Sequence, residues 1–349
     1  TTNDKSKFLP VTPEILKGCH YKGGFDTVSI YLQNNPDSHF FASKGLILGG
    51  SHSPSPLNRN AHCGDLSAVL LQNLNPLVNL IRVPDKKIIL MDEWESKIKA
   101  IVESTWKTDV NSLSGVPSWM LVLIKAVLQK TGSEYLTDVW PNMEVFFHGG
   151  ISFEPYRDQY KALIPSDRMH YMETYNASEG FFGLQDNPEE HSLLLMIDYS
   201  VFYEFIPINE VGEEHPTVLP LEAVEVGKNY AMVITTSGGL WRYQIGDTVR
   251  FTSLYPHKFV ISGRTKNFIN AFGEELMVDN ADKAISRVCR QTGAKVKEYT
   301  AAPLFMLDKA KGRHQWMIEF EKMPPSLDDF ASLLDKTLQQ LNSDYEAKR

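Results

Sequence analysis

Short apolar runs that stop at glycine, proline or a polar cluster constrain this chain more than any other feature. Gly45 to Gly50, Met143 to Phe147, Met169 to Tyr175 and Leu193 to Ile197 all have the length and boundaries of strands. Helical patterns stand between them. Asp92 to Thr105 places Trp94, Ile98, Ile101 and Val102 on one face, and Pro117 to Lys130 opens on proline and closes before Gly132. Strands alternating with helices predict an α/β fold, and the glycine-rich turns at the strand ends are where such folds place ligands.

From Tyr199 the pattern becomes richer in strands: Val201 to Ile206, Tyr230 to Thr235 and Leu240 to Ile245, with Ser237-Gly238-Gly239 as a hairpin turn. After Gly263-Arg264 the order is a strand (Asn267 to Asn270), a helix (Val278 to Thr292), two strands (Val296 to Thr300 and Gln315 to Phe320) and a last helix, which suits a small α+β lobe. A length of 349 residues accommodates two domains. The boundary is expected at 263/264, giving a large domain over 1–263 and a small lobe over 264–349.

Composition narrows the class. With 42% hydrophobic and 22% charged residues the chain is of the folded, core-forming kind. The net charge of −8 argues against a general grip on nucleic acid or anionic membranes. The longest apolar run, Trp119 to Leu128, is interrupted by Lys125 and falls short of the roughly 20 residues that a bilayer span needs. Cys19, Cys63 and Cys289 supply neither a disulfide framework nor paired zinc-ligand spacing, so a reducing cytoplasm is the expected location. A monomer is the default expectation.

The ends are informative. The chain opens Thr1-Thr2-Asn3-Asp4-Lys5-Ser6-Lys7 without an initiator Met. Its last helical pattern, Phe330, Leu334, Leu338, Leu341 and Tyr345, reaches Ala347-Lys348-Arg349 without a Gly or Pro stop. Both ends are expected to be cut from a longer protein.

Four stretches could carry chemistry. In the opening loop, hydroxyls, backbone N–H groups and the Lys5 and Lys7 ammonium groups could surround a polyphosphate, although a solvated polar terminus explains the same residues. Tyr175-Asn176-Ala177-Ser178-Glu179-Gly180 follows a strand and sets an aromatic ring, a hydroxyl and a carboxylate beside a glycine, suited to a base, a phosphate and Mg2+; an Asx/Ser turn with a surface Glu is the plainer account. Trp241 to Asp247 ends in Gly-Asp, where a carboxylate can accept two hydrogen bonds from ribose hydroxyls, or where an ordinary β-turn stands. Ser262-Gly263-Arg264-Thr265-Lys266 offers an arginine to a phosphate or to a linker.

Phe146-Phe147-His148-Gly149-Gly150 is supporting: the glycines let backbone approach a flat ring or an acyl group, and His148 is read as a hydrogen-bonded structural residue rather than a base. Phe153, Tyr156 and Phe181 could line an aromatic pocket or fill the core. A Gly-x-Ser-x-Gly elbow, a His-Glu-x-x-His helix and a Gly-x-Gly-x-x-Gly turn after a strand are all missing, which lowers serine hydrolysis, zinc hydrolysis and hydride transfer.

Taken in order, the Thr-Thr-plus-Lys loop, Gly-Gly, Tyr-x-x-Ser-Glu-Gly, Gly-Asp and Gly-Arg resemble the adenylate-forming superfamily of acyl-CoA synthetases, peptide-synthetase adenylation domains and luciferases. Within it, Thr1 to Pro10, Tyr175 to Gly180 and Arg242 to Asp247 look most like the auxin-responsive Gretchen Hagen family of acyl acid-amido synthetases, as a bacterial-type member. The resemblance implies an α/β adenylation domain with mixed sheets and helices, lacking its N-terminal part, and a small C-terminal α+β lobe lacking its end.

It also implies roles. Thr1, Thr2 and Lys5 or Lys7 would belong to the loop closing over the β- and γ-phosphates of ATP, with Gly149 and Gly150 beside the ligand. Tyr175 would pack near adenine, Ser178 would bind the α-phosphate and Glu179 would hold Mg2+. Asp247 would take the ribose hydroxyls and Arg264 would reach the ribose or phosphate. Lys266, near the hinge, departs from the Asp common there. The implied reaction activates a carboxylic acid as an acyl-adenylate and passes the acyl group to an amine, that of an amino acid in the family. A thioester-forming acyl-CoA ligase and a non-catalytic nucleotide-binding homologue are the alternatives.

Overall fold

The computed structural model describes residues 8–50, 52–54, 62–265, 276–304, 313–342 and 345–346. They fall into two compact units. The first takes the described residues up to Phe202 together with Ile234–Tyr243 and Tyr255–Phe259; the second takes Tyr203–Val233, Gln244–Leu254 and the described residues from Val260 onward.

The chain begins with α1 (Pro13–Ile15), a π-helical turn over Leu16–His20 and α2 (Tyr21–Asn34), followed by β1 (Lys44–Ile47) and the short pair β2 (His52–Pro54) and β3 (His62–Gly64). Next come α3 (Leu66–Asn73), β4 (Arg82–Val83), α4 (Lys86–Ile89), α5 (Trp94–Thr105), β5 (Val110–Gly115), α6 (Pro117–Thr131) and α7 (Leu136–Val139). β6 (Val145–Gly149), α8 (Arg157–Leu163), β7 (His170–Ala177), β8 (Gly180–Leu184) and β9 (Leu193–Leu195) follow. The strand-rich stretch is β10 (Val201–Pro207), β11 (Leu219–Pro220), β12 (Asn229–Thr236), β13 (Tyr243–Leu254) and β14 (His257–Arg264). The chain closes with α9 (Val278–Thr292), β15 (Lys295–Leu304), β16 (Arg313–Lys322) and α10 (Leu327–Leu341).

In the first unit the strand order from β4 is β4-β1-β5-β6-β7-β8-β9, with β9 joined to the start of β14. Pairing is parallel from β4 through β7 and antiparallel from β7 to β9, so the sheet is mixed. The parallel half needs crossover helices, and α5 and α6 supply them. α6 starts with Pro117 in its first turn and ends where Gly132, at φ 71°, donates its N–H to Leu128 O. At the start of α5 the Glu93 carboxylate accepts the N–H groups of Glu95 and Ser96. Ile101 of α5 and Ile124 and Val127 of α6 bury against Leu46, Leu113 and Phe146, one from each of β1, β5 and β6.

In the second unit the order is β11-β10-β12-β13-β14. The closing segment holds its own core: Ala284, Ile285 and Val288 of α9 and Phe330, Leu334 and Leu338 of α10 pack with Trp316, Ile318 and Phe320 of β16. β15 and β16 form a separate antiparallel pair.

Strand β13 begins at Tyr243, later than expected, and runs on to Leu254. Arg242 causes the delay, because its φ of 43° cannot continue a strand. The Ser237-Gly238-Gly239 turn stands where expected, closed by the N–H of Thr236 on Leu240 O at 2.9 Å. The strand expected over 267–270 lies outside the described residues. Among the described residues no helix is long and apolar enough to cross a membrane.

Candidate active site

The parallel strands β1, β5, β6 and β7 end together. Leu48 donates its N–H to Ser114 O at 2.9 Å, Gly115 stands opposite His148, and Gly149 stands opposite Thr174. This carboxyl edge carries Gly149-Gly150 and, one strand over, the Tyr175–Gly180 motif. Two stretches singled out by sequence are therefore neighbours at the edge where open α/β sheets bind ligands.

The glycine pair has two separate physical reasons. A Cβ on Gly149 would lie 2.3 Å from Thr174 O, so a side chain there would push β6 off β7. Gly150 sits at φ 83°, a conformation that strains any residue with a Cβ. Gly149→Ala is expected to cost about 1–3 kcal/mol, as overpacking of a tight site does. A urea midpoint equal to that of the parent would show that the strands separate at no cost.

Tyr175 and Glu179 have different surroundings. The Tyr175 ring is buried, edge-on to Phe182 at 5.0 Å and to Phe259 at 6.1 Å. Ala177 pairs with Gly180, which leaves Ser178 and Glu179 as a two-residue hairpin turn. Ser178 is exposed and Glu179 half-buried, so a hydroxyl and a carboxylate project from the end of β7 on a short, closed turn. Phe153 and Phe181 belong to the core.

His148 differs from its expected role as a hydrogen-bonded residue. Its side chain is 3% exposed, stacked on Phe153 at 4.2 Å and tilted on Phe146 at 5.3 Å. Nδ1 has no hydrogen-bond partner among the described residues. The polar link at this position is through backbone, where the Thr174 hydroxyl donates to His148 O at 3.2 Å. Burial, reinforced by the positive charge of Arg157, holds the imidazole neutral and pushes its pKa down to about 3.

Asp247 and Arg264 meet within the second unit. Arg264 Nε lies 3.0 Å from Asp247 Oδ1, an ion-pair distance without the alignment of a hydrogen bond. The β13–β14 hairpin brings them together, and Thr265 closes it by donating its N–H to Gly246 O at 2.9 Å. Beneath them the buried Ser262 hydroxyl donates to Thr248 Oγ1 at 3.1 Å. Thr1, Thr2, Lys5, Lys7 and Lys266 lie outside the described residues.

Several positioning residues went unread in the sequence. Lys97, 3% exposed, donates from Nζ to Gly49 O and Gly50 O, each at 3.1 Å, and fixes the chain beyond β1. Burial lowers its pKa against the opposing charges of Asp65 and Asp92. Its signal was legible: Lys97 stands on the same helical face as Trp94 and Ile101. His20 and Cys19, which grip the hairpin carrying Glu179, gave no such signal.

The turn's carboxylate and hydroxyl are a donor set that a nucleotide-bound Mg2+ could use. Among the described residues no group of three or more His, Cys, Asp or Glu side chains could hold a metal ion. Mg2+ in nucleotide sites takes one or two carboxylates plus phosphates and water, and Glu179 beside Ser178 offers that minimum.

Comparison with known proteins places this arrangement. The N-terminal, central and C-terminal domain models of the GH3 family match residues 1–169, 194–264 and 279–349. Indole-3-acetic acid-amido synthetase GH3.4 of Arabidopsis thaliana is 31% identical over 223 residues, covering 58% of this chain and 36% of its own length. The GH3 domain-containing protein of Homo sapiens is 28% identical over 183 residues, covering 50% of this chain and 34% of its own. The chain thus spans about a third of the length of the curated relatives it matches. Among solved structures, GH3.15 acyl acid amido synthetase superposes with a TM-score of 0.72 at 17% identity, covering 97% of this chain and 70% of that one. A 2-hydroxyisobutyryl-CoA ligase in the postadenylation state superposes at 0.54 and 13% identity, covering 86% and 60%. The fold is accordingly that of the adenylate-forming enzymes. With three successive domain models matched along its length, the chain belongs to the GH3 family.

Proposed function

We propose that this chain forms part of an ATP-dependent ligase that activates a carboxylic acid as an acyl-adenylate and transfers the acyl group to an amine, most simply that of an amino acid. The observation that carries the reading is the placing of Gly149-Gly150 and the Ser178–Glu179 turn at the carboxyl ends of the adjacent strands β6 and β7 of a GH3-family sheet. The names of the relatives, amido synthetases acting on indole-3-acetic acid among them, support the amide product over the thioester.

In the proposed mechanism an acid carboxylate attacks the α-phosphorus of ATP and pyrophosphate departs. An anion approaching a polyanion needs its repulsion offset. Mg2+ would supply that positive charge. Glu179 is assigned to hold it, Ser178 to donate to the α-phosphate, and Thr1, Thr2 and Lys5 or Lys7 to contact the β- and γ-phosphates. Gly149 and Gly150 admit backbone close to the ligand, and Tyr175 closes the apolar floor near the adenine. Asp247 is assigned the ribose hydroxyls; the Arg264 guanidinium, now 3.0 Å from it, would orient that carboxylate and reach a phosphate or ribose oxygen. Residues 264–349 are assigned as the small lobe, the protein as a cytoplasmic monomer, and the net charge of −8 supports a reading without nucleic-acid or membrane partners.

Acid-dependent exchange of pyrophosphate into ATP tests the first half-reaction in the full-length protein, with hydroxylamine trapping to identify the acid. Amino acids compared with coenzyme A, products resolved by mass, test the second. Exchange followed by an amide is expected. A thioester product overturns the amide reading, and ATP binding without exchange for any acid in a broad panel overturns catalysis.

A further inference from the structure

We propose that Cys19 and His20 are positioning residues for the Ser178–Glu179 turn, gripping the second pair of strand residues behind it. The inference rests on the reading that Glu179 serves a nucleotide-bound Mg2+, and it names what holds that carboxylate in place.

The two residues end the π-helical turn Leu16–His20 and are adjacent in sequence. Asn176 on β7 and Phe181 on β8 stand directly opposite each other, one residue pair back from the turn. His20 Nδ1 lies 2.9 Å from the side-chain oxygen of Asn176. Cys19 Sγ accepts the backbone N–H of Phe181 at 3.1 Å and lies 3.7 Å from Phe181 O. One turn of helix therefore holds both legs of the hairpin at the same level. The hairpin needs such support, because its register shifts between Tyr175 and Asn176 and the regular ladder is interrupted there.

The chemistry of His20 points the same way. It is 3% exposed, and with the Asn176 carbonyl oxygen accepting, Nδ1 carries the proton and Nε2 is the bare nitrogen. Nε2 is buried without a hydrogen-bond partner among the described residues. An apolar residue would fill the space without that penalty, so the contact with Asn176 is what the imidazole contributes. π-Helical turns are uncommon and concentrate where a side chain must be re-aimed for function. The hold on the helical segment is shared: the Asp26 carboxylate accepts from the Tyr199 hydroxyl at 2.6 Å, and Lys22 pairs with Asp198. The segment is fixed on its outer side, and the hairpin is held against it.

The test compares the parent with His20→Ala, His20→Asn and Cys19→Ala in the full-length protein. Two quantities are read: amide hydrogen exchange in the peptide covering 175–183, and the Mg2+ half-saturation of acid-dependent pyrophosphate exchange. His20→Ala is expected to speed amide exchange at the turn and raise the Mg2+ half-saturation, each by about tenfold, the weight of one positioned hydrogen bond. Turnover at saturating Mg2+ should fall less. His20→Asn, whose amide nitrogen can take the place of Nδ1, should return both toward the parent.

Parent-like amide exchange in His20→Ala overturns the proposal, as do equal deficits in the Ala and Asn variants, which would mark lost packing alone. Should His20→Ala fail to fold, Cys19→Ala decides through the Phe181 amide, which loses its sulfur acceptor and must exchange faster. If the parent shows no pyrophosphate exchange, the adenylation reading falls while amide exchange still decides whether the clamp exists.

Discussion

Glu179→Gln is expected to lower acid-dependent pyrophosphate exchange by about a hundredfold at the ATP and Mg2+ concentrations that saturate the parent, with the melting temperature close to that of the parent. The size follows from weakening the hold on Mg2+, whose positive charge would meet the developing anion; losing one such stabilising group costs roughly 3 kcal/mol in the transition state. Stability should hardly change, because Glu179 is a half-buried turn residue and glutamine keeps its shape. Glutamine retains an oxygen ligand but carries no charge, so excess Mg2+ should recover part of the rate; alanine, with no ligand atom, should recover none. Near-parental exchange in Glu179→Gln would remove this residue from the mechanism and leave the metal to other groups.

That prediction comes from a motif visible in the sequence, and the contrast with its supports shows where sequence reading stops. Helices α5, α6 and α9 were legible because each repeats apolar residues with a helical period between clear end signals. The Gly149-Gly150 turn and the Tyr175–Gly180 stretch were legible because glycine and a strand end mark them locally, whereas the returning strand β8 that makes the second a hairpin was not read. α2 was missed: its buried stripe is Gly23, Thr27 and Tyr31, correctly spaced at i, i+4 and i+8 but hardly apolar. The His20 contact with Asn176 spans 156 positions, and no local pattern encodes it. Asp247 and Arg264 were each singled out in sequence, yet their ion pair depends on β14 folding back along β13, and that hairpin was not read. His148 was assigned a hydrogen bond because histidine usually has one; the Phe146 ring of β6 and the Phe153 ring just ahead of α8 pack against it instead.

The burial of His148 sets the second large effect. In the unfolded chain its imidazole titrates near the ordinary value of 6.5, whereas in the fold burial and Arg157 hold that pKa down to about 3. Between those values the unfolded state carries a proton that the folded state refuses, so stability is complete above 6.5 and is lost as pH falls. The slope is about 1.4 kcal/mol per pH unit, and across the window the loss is on the order of 5 kcal/mol, a large share of the total stability of a domain. His20, whose pKa burial also lowers, adds to the loss in the same direction.

Carboxylates also titrate in acid, so the informative quantity is the difference between the parent and His148→Phe. Phenylalanine keeps a ring against Phe153 but binds no proton. Between pH 7 and pH 5 the parent should lose stability to urea faster than the variant, the gap widening by about 1.4 kcal/mol per unit below pH 6.5. Parallel curves would mean that the folded protein accepts the proton, and therefore that water or a ligand group reaches Nδ1. A parent stability that increases as pH falls would reverse the sign and place an anion beside the imidazole, although the charge that acts on it here is the positive one of Arg157, 4.9 Å over the neighbouring Phe153 ring.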